Sequence, residues 1–110
     1  MENIDILIMY PDGNLEGMAD RARKINEDDY IRYVVIDFRR VGKLGFNDTR
    51  EMIDAYSMLK KTKVLYFCTL GDENRDPHKT LKAMGIIKLE GINIRESLEE
   101  AVAELLQQNT

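Results

Sequence analysis

Few residues in this 110-residue chain are of a kind that does chemistry. General acid–base or nucleophilic work needs a nucleophile beside a base, and the single histidine, His78, sits next to Pro77 at a surface helix start with no partner in view. Cys68, the single cysteine, lies inside an unbroken apolar run and reads as a small core residue, because a reactive thiol needs exposure and a depressed pKa. One cysteine excludes an internal disulfide, and one His with one Cys leaves no zinc cluster. No Gly-rich phosphate loop is present. These residues argue against an enzyme, and they point to no metal and no cofactor.

The stretch with most to offer is the one from Val34 to Lys61. Val34-Val35-Ile36-Asp37-Phe38 is the apolar, β-branched run of a strand buried on both faces, and a polar turn over 39–45 follows it. Then the period changes. Met52, Ile53, Tyr56 and Leu59 fall on one helical face, with Asp48 predicted as N-cap and Glu51 as its capping-box partner. A helix N-terminus at a sheet edge carries unpaired N–H groups and about half a positive charge, so the junction is predicted to receive an anion, a phosphorylated side chain or a partner's carboxylate. Arg39, Arg40 and Lys43 border the turn, and Phe46, Asn47, Asp48, Thr49 and Arg50 form its tip. Phe46 there is either a packed staple or an exposed aromatic contact, and if it shares a surface with the basic residues that surface has the make-up of an interaction hot spot.

The remaining elements must position this junction. Ile4 to Tyr10 reads as a strand closed by Pro11-Asp12-Gly13-Asn14, and Asn14 is predicted to cap a helix to about Asn26 with Leu15, Met18, Ala19, Ala22 and Ile25 facing inward. Glu27-Asp28-Asp29 is an acidic loop, and 30–38 the central strand. The junction helix runs to about Thr62, ending in Lys60-Lys61-Thr62-Lys63, cations that suit the negative end of a helix dipole. Val64 to Leu70 is a second fully buried strand. Asp76 and Pro77 start a helix with Leu81 and Met84 inward, and Gly85 ends it. Ile92-Asn93-Ile94 is a short last strand, and Ser97 with Glu100 caps a C-terminal helix of Leu98, Ala101, Val102, Leu105 and Leu106.

Four strands alternating with four helices predict an α/β fold, with a mostly parallel or mixed sheet covered by helices in one domain over 1–110. The net charge of −4 argues against a nucleic-acid partner. No apolar run reaches the ~20 residues of a membrane span and Met1-Glu2-Asn3 lacks a basic signal start, so the chain is expected in the cytoplasm.

Order and local sequence together resemble a STAS domain, the fold of bacterial anti-sigma factor antagonists and of sulfate-transporter tails. The resemblance spans about Asp5 to Leu106. It is strongest from Val34 through Leu44 into Met52-Ile53-Asp54-Ala55-Tyr56, and continues in Leu81-Lys82-Ala83-Met84-Gly85-Ile86 and Ser97-Leu98-Glu99-Glu100-Ala101. It implies a STAS-like sandwich and a regulatory protein partner: anti-sigma or kinase-like, a scaffold, or a transporter component.

The antagonists carry Asp-Ser-Ser-Gly at this turn and are switched by phosphorylation of the second serine. Here Gly45-Phe46-Asn47-Asp48 stands in its place, and Asn47, the phosphoacceptor-equivalent, has no hydroxyl. Thr49, the nearest hydroxyl, reads as a packed residue. The first strand of the family's usual N-terminal hairpin reads as absent or cut short, which is expected to expose a sheet edge that favours pairing with another chain, a homodimer included. Two other readings stand beside a docking module. Asp37, Thr69 and Lys88 are distributed roughly as in a phosphorelay receiver, with Asp37 as acceptor, although only Asp12 is available to complete its magnesium site. The other is an accessory subunit of a membrane transport ATPase.

Overall fold

The computed structural model describes residues 5–108. Its elements are β1 (Ile6–Met9), α1 (Met18–Glu27), β2 (Tyr33–Asp37), α2 (Phe46–Leu59), β3 (Val64–Cys68), α3 (Asp76–Ala83), a short 3₁₀ turn (Ile86–Lys88), β4 (Ile92–Arg95) and α4 (Leu98–Gln108). The four strands lie in the order β1-β2-β3-β4, all parallel. The fold is therefore α/β, with the sheet parallel throughout.

Each crossover steps one strand in the same direction, so crossovers of a single hand must place their helices on one face. They do: Met18, Ala22 and Ile25 of α1, Met52, Ala55, Tyr56 and Leu59 of α2, and Leu81 of α3 share one core with Val34, Ile36, Leu65 and Phe67. Phe38 and Phe67 meet edge-on there, with centroids 5.1 Å apart. The last helix has only the other face left, where Ala101 and Leu105 of α4 pack on Val35, Tyr66 and Cys68. Adjacent residues of β2 and β3 thus serve opposite cores, which is why both runs are apolar without alternation.

Several boundaries differ from the sequence expectation. Helix α1 starts at Met18, because Asn14 Oδ1 accepts the Glu16 N–H at 2.9 Å in a local turn and Gly17, at φ 78°, leads into the helix. Helix α2 starts at Phe46 after Gly45, so Asp48 is its third residue and not its cap, and it ends at Leu59 before the lysine run. In α3 the N-cap is Arg75, one residue before Asp76, while Gly85 (φ 75°) terminates the segment as expected. Met84 and Leu106, predicted inward, are exposed, as is Ile53. Ser97 caps α4 as expected, its Oγ accepting the Glu100 N–H at 3.1 Å. The predicted start of the first strand at Ile4 and the shortened hairpin strand fall outside the described residues.

Among the described residues, no helix is long and apolar enough to cross a membrane.

Candidate functional site

Two loops at the carboxyl ends of the strands build the junction. The loop after β1 pairs with the loop after β2 through a parallel bridge between Gly13 and Val41. The Gly13 N–H donates to the Arg40 carbonyl at 2.9 Å and the Gly42 N–H to the Gly13 carbonyl at 3.0 Å. This ladder brings Leu15 beside the first turn of α2. Asp48 then ties the corner: Oδ2 accepts the Gly45 N–H at 2.7 Å, and Oδ1 accepts the Leu15 N–H at 3.0 Å. Gly45 has no side chain, so only the carboxylate half of a capping box exists. Glu51, the expected box partner, reaches instead to the Ala19 N–H of α1, at 3.3 Å.

This arrangement overturns the electropositive junction. The positive end of α2 is already met by Asp48, and the open groove of about 660 Å³ beside it is lined by Asn14, Glu16, Asn47, Asp48, Arg50, Glu51 and Asp54. Four carboxylates face one guanidinium. An incoming phosphate or carboxylate would be repelled, and a cation would be drawn in.

The predicted contact residues divide. Phe46 is 77% exposed; as the first residue of α2 it does not stand before the cap, the place from which a staple packs. Asn47 and Arg50 are exposed beside it, and Lys43 is exposed on the approach. Arg40 is exposed in the turn after β2, its guanidinium 6.0 Å above the Tyr10 ring. Thr49 is buried, its hydroxyl donating to the Phe46 carbonyl at 2.7 Å, which makes it a packed residue. Arg39 turns away from the junction toward Asp37, its guanidinium 3.2 Å from Oδ2, and borders a different crevice with Thr69, Gly71, Arg75 and Glu96.

Asp37, the receiver-like acceptor, is 0% exposed. Its Oδ1 accepts the Arg39 N–H at 2.9 Å and its Oδ2 is sealed against the Arg39 guanidinium. The turn uses only Oδ1; Oδ2 makes no hydrogen bond and is closed to solvent. Cys68 is buried, and burial pushes its thiol up to about 11, the unreactive direction.

Two clusters had no sequence signal. Arg75 gathers the carbonyls of Thr69, Leu70, Phe38, Arg39 and Val41 with its two terminal nitrogens, at 2.6 to 3.2 Å, and so clamps the loops after β2 and β3. Thr69 sits there at φ 61°, a strained conformation for a β-branched residue. On the other face Tyr66 donates to Glu104 of α4, and Arg95 grips the same carboxylate with Nε and Nη2 at 2.8 to 3.1 Å.

That second cluster makes α4 docking pH-dependent. Burial, reinforced by the Glu104 hydrogen bond, pushes the Tyr66 phenol from its ordinary value of 10.0 up to about 12. The folded state therefore keeps a proton that the unfolded chain loses near pH 10, so this contribution is full below 10 and lost as pH climbs through 12. The Tyr66 hydrogen bond, then Arg95, holds Glu104 below the usual carboxylate range, so its contribution is lost only as pH falls through that lowered value. We expect Tyr66→Phe to cost about 1 kcal/mol at neutral pH and to flatten the decline between pH 10 and 12, read from urea midpoints across that range.

Set against known proteins, the sequence matches no protein-family model and no curated protein. Its fold has a solved counterpart: the crystal structure of a sulfate transporter family protein from Wolinella succinogenes is similar at a TM-score of 0.72 and 17% sequence identity, over 97% of this chain and 93% of that one. At that identity the likeness is one of fold, and four parallel strands with four helices are consistent with the STAS-like arrangement expected from the sequence.

Proposed function

We propose that this chain is a non-catalytic, regulatory protein-binding domain of STAS type, acting in the cytoplasm, whose partner docks on Phe46, Asn47 and Arg50 with Arg40 and Lys43 at the rim. The observation that carries the proposal is Phe46, an aromatic ring 77% exposed at the first residue of a helix. Its burial on binding would recover the apolar free energy that folding leaves unused, and aromatic side chains flanked by arginine dominate interface energetics. Asn47 beside it bears no hydroxyl, so docking is not switched by phosphorylation at that position. The acidic groove next to it favours a partner that presents lysine or arginine there.

Within this reading the partner is a transporter component ahead of an anti-sigma factor. The sulfate transporter family membership of the structural counterpart favours it.

The test is affinity capture from the native host with the wild-type chain and with Phe46→Ala and Arg40→Glu. The expected result is a specific partner of transporter, scaffold or kinase-like type whose recovery falls at least about tenfold with Phe46→Ala. Capture that is indifferent to both changes would remove the junction from the docking surface.

A further inference from the structure

We propose that the acidic groove at the start of α2 in one copy receives the lysine-bearing groove at the end of α2 in a second copy, so that the chain associates with itself head to tail. This goes beyond the docking reading and is tested without any partner.

The two grooves complement each other in charge. The first, about 660 Å³, carries Glu16, Asp48, Glu51 and Asp54 against Arg50. The second, about 500 Å³, carries Lys60, Lys61 and Lys63 against Glu90, over a floor that includes Tyr56 and Val64. Asp48 and Glu51 accept only backbone N–H groups, and among the described residues neither forms an ion pair. Lys63 donates to the Asp28 carbonyl and Lys60 lies 5.2 Å from the Tyr56 ring centre, contacts that likewise neutralise nothing. Each groove is thus left with an uncompensated sign.

They also match in apolar features. Phe46 projects next to the first groove, and the second offers Val64, 42% exposed, beside a Tyr56 ring that is itself buried. An exposed valine flanked by lysine stems makes an ordinary seat for a phenyl group.

Their placement decides the kind of assembly. Asn47, Glu51 and Asp54 form one stripe of α2, whereas Tyr56 and the C-cap Lys60 lie on another, about 120–180° round the helix at ~100° per residue and toward its other end. A contact between two different surfaces is heterologous, and it repeats into a chain or ring without stopping at a two-fold dimer. Exposed ion pairs are individually weak and screened by salt, so the association is expected at low ionic strength. Because Phe46 is used in both roles, a second copy and a docking partner compete for it.

Sedimentation velocity on the purified chain, at about 20 mM and about 500 mM salt, tests the proposal. The expected result is an average mass that rises with protein concentration past that of a dimer at low salt and returns to monomer at high salt. Asp54→Lys and Lys61→Glu should each weaken association at least about tenfold, since each reverses one exposed charge. An equimolar mixture of the two variants should associate, because one keeps the lysine groove and the other keeps the acidic one. Wild-type chain that stays monomeric at low salt, even if a lysine-rich peptide binds it, assigns the groove to a foreign partner and overturns the proposal. So does association indifferent to both reversals, or variants that fail to associate when mixed.

Discussion

Arg75→Ala is expected to destabilise the fold by about 3 kcal/mol, lowering the urea midpoint while leaving the slope unchanged. The guanidinium donates to five main-chain carbonyls, two after β3 and three after β2. Those carbonyls converge at the ends of parallel strands, where the ladder can no longer pair them, and without a cation they would face one another. Arg75→Lys should recover less than half of the loss, because an ammonium carries three donors on one point and cannot fork across two loops. Gly71→Ala should fail in the same direction: its Cβ would lie 2.5 Å from Arg75 Cδ, on a backbone at φ +80°. Combining Gly71→Ala with Arg75→Ala should cost less than the sum of the two, since the 2.5 Å clash with Cδ disappears and only the Cβ contact at 3.2 Å remains. A midpoint unmoved by Arg75→Ala would reduce the clamp to a surface decoration.

This clamp marks the boundary of what the sequence discloses. The runs 34–38 and 64–70 are legible because a strand buried on both faces must be apolar without alternation, and Val35, Tyr66 and Cys68 do serve the face opposite to Val34, Ile36 and Phe67. Helix existence is legible from the spacing of Met52, Tyr56 and Leu59. The start of α2 is not, because a carboxylate near a helix start has more than one N–H within reach. Asp48 reads as a cap, yet it serves Gly45 and a backbone N–H 33 residues away. Arg75 is illegible for a stricter reason: all its partners are carbonyls, which every residue has. The acidity of the groove is equally hidden, since Glu16 joins Asp48, Glu51 and Asp54 only after the loops following β1 and β2 have paired. The misplaced cap also explains the ambiguity of Phe46. Before a cap at Asp48 it would be a staple, whereas as the first residue after Gly45 it stands in solvent.

Arg39, which the sequence groups with the contact residues, is expected to act on stability instead. Asp37 is 0% exposed; its Oδ1 is satisfied by the Arg39 N–H, while its Oδ2 makes no hydrogen bond and has only the guanidinium, 3.2 Å away. Truncation to Arg39→Ala keeps the backbone bond and strands the second oxygen in a buried site, at a cost of about 2 kcal/mol; the half-exposed guanidinium holds the figure below that of a fully buried pair. Arg40→Ala is the control: its guanidinium only overlies an exposed tyrosine ring at 6.0 Å, and its loss should stay within about 0.5 kcal/mol. Asp37→Asn retains an acceptor for the Arg39 N–H and removes the stranded charge, so in the Arg39→Ala background it should restore about 1 kcal/mol, a coupling that a double-mutant cycle by urea titration measures. If Arg39→Ala instead leaves the midpoint unmoved and reduces partner recovery alongside Phe46→Ala, then Arg39 belongs to the docking surface and the guanidinium's approach to Asp37 carries no energetic weight.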